Sequence, residues 1–443
     1  MHAETIRRRS YNPKSPGVTR AKAAPKIPIP LEYTVYVRPL TAWPVTNPYE
    51  SLRQPAIMMP PHVSIAIGHR CFLTMSNKLR VGLLFGGRSA EHDVSVISAR
   101  SVLAALDPCK YEVVPIGITR EGTWLLNVDP LRALADQMDL STDGNTSQLA
   151  FSPDAALAHR SSPQDSSSPS IARALDVVLP ILHGPNGEDG SIQGFLQLAN
   201  VPYVGCDVLS SALGMDKIVQ KKLFSHAGLP IVDFLAIARR QWRSRPTDSL
   251  EEIEASLSYP LFVKPAALGS SIGISKVHNR DELSPALDTA ARYDRRIIVE
   301  AAVPHAREIE LSVLGNHAPI VSVPGEIVAA HEFYDYAAKY EADSALHVPA
   351  PIAEELTTEL QDLSLRAFQA LECCGMARVD FLINGETGAV YVNEINTIPG
   401  FTPISMYPKL WEASGLPYPD LLDELIRLAQ ERFQEVNDQE TAR

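Results

Sequence analysis

No run of about 18 apolar residues occurs in the 443-residue chain, so the sequence offers no helix able to cross a bilayer. Basic side chains are in short supply: 40 Lys and Arg stand against 52 Asp and Glu, a formal charge of −12. That balance argues against nucleic acid as the main partner. Cysteine is scarce too. Cys71, Cys109, Cys206, Cys373 and Cys374 lack the paired spacing of a zinc site, and adjacent residues such as Cys373 and Cys374 rarely bridge each other. They read as thiols of a reducing, cytoplasmic protein. With 45% hydrophobic and 21% charged residues the composition is that of a globular protein, long enough for two to four domains.

Charge is unevenly spread. Residues 1–74 carry ten basic and three acidic side chains, a balance of +7 that leaves −19 for the rest of a chain totalling −12. They also hold 11 of the 35 prolines and show no sustained helical or strand period. Such a segment buries too little apolar surface to offset its ordering entropy, so residues 1–77 are expected to be a disordered extension. Two explanations stand: translation starting nearer Met75, or a targeting role hinted at by Arg7, Arg8 and Arg9 but lacking an amphipathic helix.

Beyond it, strands and helices alternate. Residues 79–85 form an apolar strand broken by Gly86-Gly87, and the helix that follows puts Val96, Ala99, Leu103 and Leu106 on one face. Residues 111–119 and 175–182 are further strands, and 141–170 is a Ser-, Asp- and Pro-rich loop. This order indicates a parallel sheet covered by helices, with ligands at the carboxyl ends of its strands. The glycines after the first strand do not match the dinucleotide fingerprint. A Lys-rich helix spans 217–226, strands fall at 260–266, 273–277 and 295–301, and helices at 281–292, 352–374 and 419–434.

The strongest physical signal is a hairpin of residues 377–384 and 389–396. Pairing Ile383 with Ala389 would put Val379, Phe381, Ile383, Tyr391 and Ile395 on a core face. Arg378, Asp380, Glu394 and Asn396 then share the other face. Two carboxylates and a carboxamide converging there repel unless compensated, and a hard cation such as Mg²⁺ with oxygen ligands removes the conflict. The alternative is a solvated face with a weak Arg–Glu pair. Gly269-Ser270-Ser271-Ile272-Gly273 lies between two strands and follows Lys264; its backbone N–H groups suit phosphate oxygens, though a simple turn has the same composition. Residues 333–340 add Tyr334, Tyr336, Lys339 and Tyr340.

Taken in order, these segments, together with Gly86 to Ser95, His183 to Gly190, Gly214-Met215-Asp216-Lys217, Arg307 to Glu310, and Val392 to Thr397 with Pro399-Gly400, resemble the D-alanine–D-alanine ligases of the ATP-grasp superfamily over about residues 79–435. The resemblance implies an α/β ATP-grasp architecture. Its parts would be a Rossmann-like domain at 78–205, a small central α+β domain at 206–300 and a C-terminal α+β domain at 301–435, with a tail at 436–443. It also implies phosphorylation of one D-alanine carboxylate by ATP, then attack by the amine of a second.

Residue by residue, the resemblance assigns Asp380, Glu394 and Asn396 to Mg²⁺ or Mn²⁺, two ions per site, and Lys217, Lys264 and Lys339 to phosphates. Ser270 and Ser271 belong to the phosphate loop, Glu300 and Glu308 to adenine and ribose, and Val303 to adenine through its backbone. Around these last residues the chain is one residue longer than the family pattern. Glu91 would hold the ammonium of the first D-alanine and His183 would lie near its carboxylate; Ser405 and the Met406 N–H would bind the second carboxylate. Arg378 and the Gly400 N–H would stabilise the tetrahedral oxyanion, while Ser270, Tyr340 and Glu91 would tie a lid over the closed site. A Tyr at 340 favours D-alanine over D-lactate as second substrate. A homodimer is also implied. The competing readings are a ligase for D-lactate or D-serine, and a non-catalytic nucleotide-binding module.

Overall fold

Alternation of buried apolar residues with turn-forming glycines organises the chain into three successive sheets. The structure, a computed structural model, describes residues 78–125, 130–131, 175–328 and 345–438. The expected N-terminal extension, the 141–170 loop, the 333–340 lid and the last five residues of the tail lie outside these.

The first sheet contains β1 (Leu79–Gly86), which leads into α1 (His92–Ala105), then β2 (Tyr111–Ile118), β3 (Trp124–Leu125) and β4 (Val177–Ile181). Its order is β3-β2-β1-β4, with β1 parallel to both β2 and β4, as the sequence predicts. Val81, Leu83 and Phe85 of β1 are buried, and Val96, Ala99 and Val102 of α1 pack over them. Three helices follow: α2 (Ser191–Leu198), α3 (Val208–Met215) and α4 (Lys217–His226). Asp207 caps α3 with a reciprocal capping box through Ser210, and Asp216 caps α4 by accepting from Val219 N.

The second sheet is antiparallel. It uses β5 (Phe234–Ala238), two helices α5 (Arg239–Ser244) and α6 (Pro246–Ser256), then β6 (Leu261–Pro265), β7 (Ser275–Val277), α7 (Arg280–Tyr293) and β8 (Arg296–Ala301), in the order β5-β8-β6-β7. The third contains β9 (Arg307–Gly315), β10 (Ile320–Val321), β11 (Gly325–Val328), β12 (Ala345–His347), helix α8 (Glu354–Ala370), β13 (Gly375–Ile383) and β14 (Val390–Asn396). Its main order is β12-β11-β9-β13-β14, with β10 on β9. Two last helices, α9 (Met406–Ala413) and α10 (Tyr418–Asn437), complete it; Leu421, Leu422 and Leu425 of α10 join the core of the first sheet.

Helix α4 serves two sheets. Ile218 packs with Ala266 and Ile298 of the second, whereas Phe224 sits in the core of the third beside Leu311 and Val379. Cys206 and Leu229, on either side of the α3–α4 pair, belong to that third core as well.

The hairpin differs from the expected register. Ile383 pairs with Val390 rather than Ala389, and Phe381 with Val392, but Asp380 pairs with Glu394 and Arg378 with Asn396. One extra residue, Asn393, is accommodated as a bulge, and Val392 N turns to donate to Pro230 O at 2.7 Å. The bulge changes the phase of β14. Val390 and Val392 face the core before it and Ile395 after it, so Tyr391, expected in the core, is only half-buried. Asp380, Glu394 and Asn396 nevertheless share one face. Asn384 closes the turn by accepting from Glu386 N and Thr387 N.

Cys206, Cys373 and Cys374 are free thiols, as the cysteine pattern implied. Cys109 is disulfide-bonded, so that reading does not extend to it.

The register has a direct test. Val392→Asp puts an unpaired charge into a fully buried position and should cost about 3–5 kcal/mol or abolish folding, whereas Tyr391→Asp should cost under about 2 kcal/mol. Urea unfolding of the two variants measures this, and the opposite ranking would restore the unbulged pairing.

Candidate active site

The bulged hairpin and β9 bring acids together. Asp380 lies across from Glu394 on one side and Glu310 on the other. Left alone, three carboxylates at this spacing would repel. Arg378 answers two of them: its guanidinium makes a two-pronged contact with Asp380 at 2.7 Å on each branch and lies 3.0 Å from Glu310. Burial works against the Arg378 charge, but Asp380 and Glu310 more than offset it and hold its pKa well above the ordinary value. Asn396 donates to Asp380 at 2.9 Å.

The third carboxylate is met by α4. Lys217 Nζ lies 2.8 Å from Glu394 and also donates to Leu268 O at 3.2 Å. Burial would lower the Lys217 pKa; the Glu394 carboxylate outweighs it and raises the value. One turn on, the buried Gln220 accepts from Ile395 N at 3.1 Å and donates to Ile395 O at 3.2 Å. It thereby acts as a strand partner for the edge of β14, between Glu394 and Asn396.

No cluster of three or more His, Cys, Asp or Glu arranged for a metal occurs among the described residues. The set here is two carboxylates and a carboxamide on neighbouring strands, all able to supply oxygen. That donor chemistry fits a hard divalent cation such as Mg²⁺.

Facing these strands is the loop between β6 and β7. Ser270 (φ 49°), Ser271 (φ 57°) and Gly273 (φ 72°) adopt left-handed backbone, which is strained for the two serines. Loop and strands line a cleft of about 670 Å³, open to solvent, whose walls include Lys217, Lys264, Ser271, Glu308, Asp380 and Glu394. Glu300 and Val303, expected at the adenine, are not on its walls. Glu300 is 3% exposed and lies between two ammonium groups, 2.5 Å from Lys264 and 3.0 Å from Lys221. Burial alone would raise the Glu300 pKa, but Lys221 and Lys264 reverse this and lower it to about 2.

The same loop reaches the first sheet. Ser270 Oγ donates to Glu91, which stands at the N-terminus of α1 yet makes no side-chain capping bond there. A Cβ at Gly184 or Gly269 would lie 2.5 or 2.9 Å from Glu91 Oε2, so a side chain at either position would push the carboxylate aside. Ser89 ties this corner to the β4 end by donating to His183 O at 2.8 Å.

His183 is 5% exposed; its Nδ1 donates to Ile398 O at 3.2 Å and lies 3.4 Å from Glu188. Its Nε2 is buried with no hydrogen-bond partner among the described residues. Burial disfavours the imidazolium, but Glu188, Glu91 and the Ile398 carbonyl prevail and raise its pKa. From Ile398 the chain passes Gly400 to Ser405, whose Oγ meets Thr402 N at 3.0 Å and Thr402 Oγ1 at 2.8 Å. A Cβ at Gly400 would come within 2.7 Å of that hydroxyl. Met406 opens α9 with its side chain buried against Ile327 and Leu410.

Most sequence-derived candidates therefore lie at the cleft or along this corner. Lys339 and Tyr340 fall outside the described residues. Gln220, Lys221 and Glu310 were not foreseen. The first two follow Lys217 at helical spacing, and Glu310 follows Glu308 at strand spacing on a face already carrying one candidate.

The parallel sheet, the two antiparallel sheets and the lysine-lined cleft define an ATP-grasp ligase. Family models described as the D-ala D-ala ligase N-terminus and C-terminus match residues 80–206 and 223–427. The chain belongs to the D-alanine–D-alanine ligase family. It is 49% identical over 359 residues to the D-alanine–D-alanine ligase of Heliobacterium modesticaldum, covering 81% of this chain and 96% of that one. Against the Geobacillus kaustophilus D-alanine–D-alanine ligase it is 47% identical over 360 residues, with the same coverage of each chain. Among solved structures, the Coxiella burnetii D-alanine–D-alanine ligase matches with TM-score 0.63 and 37% identity, over 82% of this chain and 97% of that one. The VanG D-Ala:D-Ser ligase of Enterococcus faecalis matches with TM-score 0.67 and 36% identity, over 80% and 99%.

The His183 environment makes a pH prediction. Because the folded pKa is raised, the contribution of His183 to stability is present below the unfolded value of about 6.5 and is lost as pH rises through the raised value. The gap in Tm between wild type and His183→Gln should narrow as pH increases from about 5.5 to about 9; a gap that widens would mean burial wins.

Proposed function

We infer that this chain catalyses ATP-dependent joining of two D-alanine molecules into D-alanyl-D-alanine for peptidoglycan precursor synthesis. What carries the reading is that the Ser270 loop of the second sheet and the Asp380–Glu394 pair of the third line one cleft, while Ser270 also bonds Glu91 at the start of α1.

A carboxylate is a poor electrophile at neutral pH. Its oxygen attacks the γ-phosphorus of ATP, ADP leaves, and the resulting acyl phosphate carries a good leaving group. Glu91 holds the ammonium of this first D-alanine, with His183 beside its carboxylate. Lys217 and Lys264 face the phosphates as point charges, and the Ser270–Ser271 backbone cradles them. Asp380, Glu394 and Asn396 are the residues that would hold Mg²⁺ or Mn²⁺, with two ions as the finer expectation. Bound there, a cation neutralises charge on the transferring phosphoryl group.

The second D-alanine binds by its carboxylate to Ser405 Oγ and the Met406 N–H at the start of α9, where the helix dipole favours an anion. Its amine, having lost a proton, adds to the acyl carbon. Arg378 and the Gly400 N–H meet the oxyanion of the tetrahedral intermediate, which collapses and releases phosphate. The resemblance would have residues 333–340, with Lys339 and Tyr340, which lie outside the described residues, keep water from the acyl phosphate. The reading brings with it a cytoplasmic location, where ATP is supplied, and a homodimer. Among the described residues no helix is long and apolar enough to cross a membrane.

Incubation with ATP, Mg²⁺ and D-alanine alone should yield D-alanyl-D-alanine with one phosphate released per dipeptide. A preference for D-serine or D-lactate when these are added would overturn the second-substrate assignment, and no D-alanine-stimulated phosphate release would overturn the enzyme reading. Arg378→Ala should keep ATP affinity while lowering kcat by about 10²–10³, the usual effect of losing an oxyanion donor; a change within about threefold would remove Arg378 from that role.

A further inference from the structure

Lys221 has no place in the reaction scheme, yet it is a lysine held 2% exposed in the protein interior. It lies one helical turn beyond Lys217 on α4 and does not line the cleft. Burying an ammonium is costly unless a counter-charge meets it. Here the counter-charge is Glu300 on β8, 3.0 Å away, and the second oxygen of that carboxylate is 2.5 Å from Lys264 on β6. Of the three, only Lys264 reaches the cleft wall. The arrangement is a line of alternating charge that begins in the interior and ends at the surface where an anionic ligand would sit.

Its arithmetic matters. With Lys264 as its only partner, Glu300 would cancel the ammonium that faces the cleft. Sharing the carboxylate with Lys221 leaves one net positive charge in the group, with Glu300 itself off the cleft wall.

We propose that Lys221 is a positioning residue for Lys264, acting through Glu300 to keep an uncancelled cation facing the polyphosphate of a bound nucleotide. This rests on the ATP reading above, and it gives Glu300 a task behind Lys264.

The test measures nucleotide binding without turnover. Titration calorimetry of Mg²⁺–ADP should show the wild type binding and Lys221→Met binding about tenfold more weakly, the order expected for removing one nearby charge in a partly buried setting. Lys221→Arg should recover to within about threefold. KM for ATP should rise in step with the ADP Kd, while KM for D-alanine stays within about threefold of wild type. Should Lys221→Met fail to fold, Lys221→Gln, which keeps a donor to Glu300 without the charge, serves the same comparison. A drop in Tm with unchanged ADP affinity in the Met or Gln variant would overturn the proposal and leave Lys221 as a strut between α4 and the second sheet. Equal weakening in Lys221→Arg would also overturn it. If wild type itself bound no ADP, the ATP reading would fail instead, so the two failures are separable.

Discussion

Mutual repulsion among carboxylates on one sheet face is the constraint around which this molecule is arranged. Glu310, Asp380 and Glu394 occupy neighbouring strands in register, and strands cannot hold like charges at that spacing without compensation. Two cations supply it from different directions. Arg378 does so from within the same sheet, and Lys217 from a helix that docks on it. Each compensating group also points toward the cleft, so the feature that lets the sheet fold is the one that can meet phosphates and an oxyanion. On the function proposed above, stability and chemistry would draw on the same side chains, so a substitution at any of them would move both.

The sheets, most long helices and the ordered motifs were legible in the sequence because they rest on local rules: apolar periodicity, glycine breaks and the spacing of acids. The bulge was not, although its trace is present. Val390 and Val392 are apolar at even positions and Ile395 at an odd one, a change of phase that an unbroken strand does not make. Fixing the register from the turn alone hid it. The α2–α3 pair and the segment from β5 to α6 passed unremarked for a related reason, being short elements of mixed polarity whose burial comes from distant partners.

Glu300 illustrates the limit more sharply. Order along the chain associates it with a nucleotide, but nothing local says that Lys221, 79 residues earlier, reaches it. Only the docking of α4 against both later sheets brings these charges together. Glu91 was singled out by the family resemblance alone, and its local setting shows only in the structure. A helix-terminal acid is normally explained by its own helix, and here the absence of a capping bond, with glycines cleared around its carboxylate, is what turns it toward Ser270.

Helix α4 has one further implication. It is anchored by Ile218 to one sheet and by Phe224 to the next, while Lys217 grips Glu394 in the later sheet and Lys221 grips Glu300 in the earlier one. Two adjoining bodies that share a rod fixed to each can rotate about it but cannot slide apart along it. Lys264 and Asp380, which come from the two sheets and both reach the cleft wall, are therefore held at one spacing along this helix.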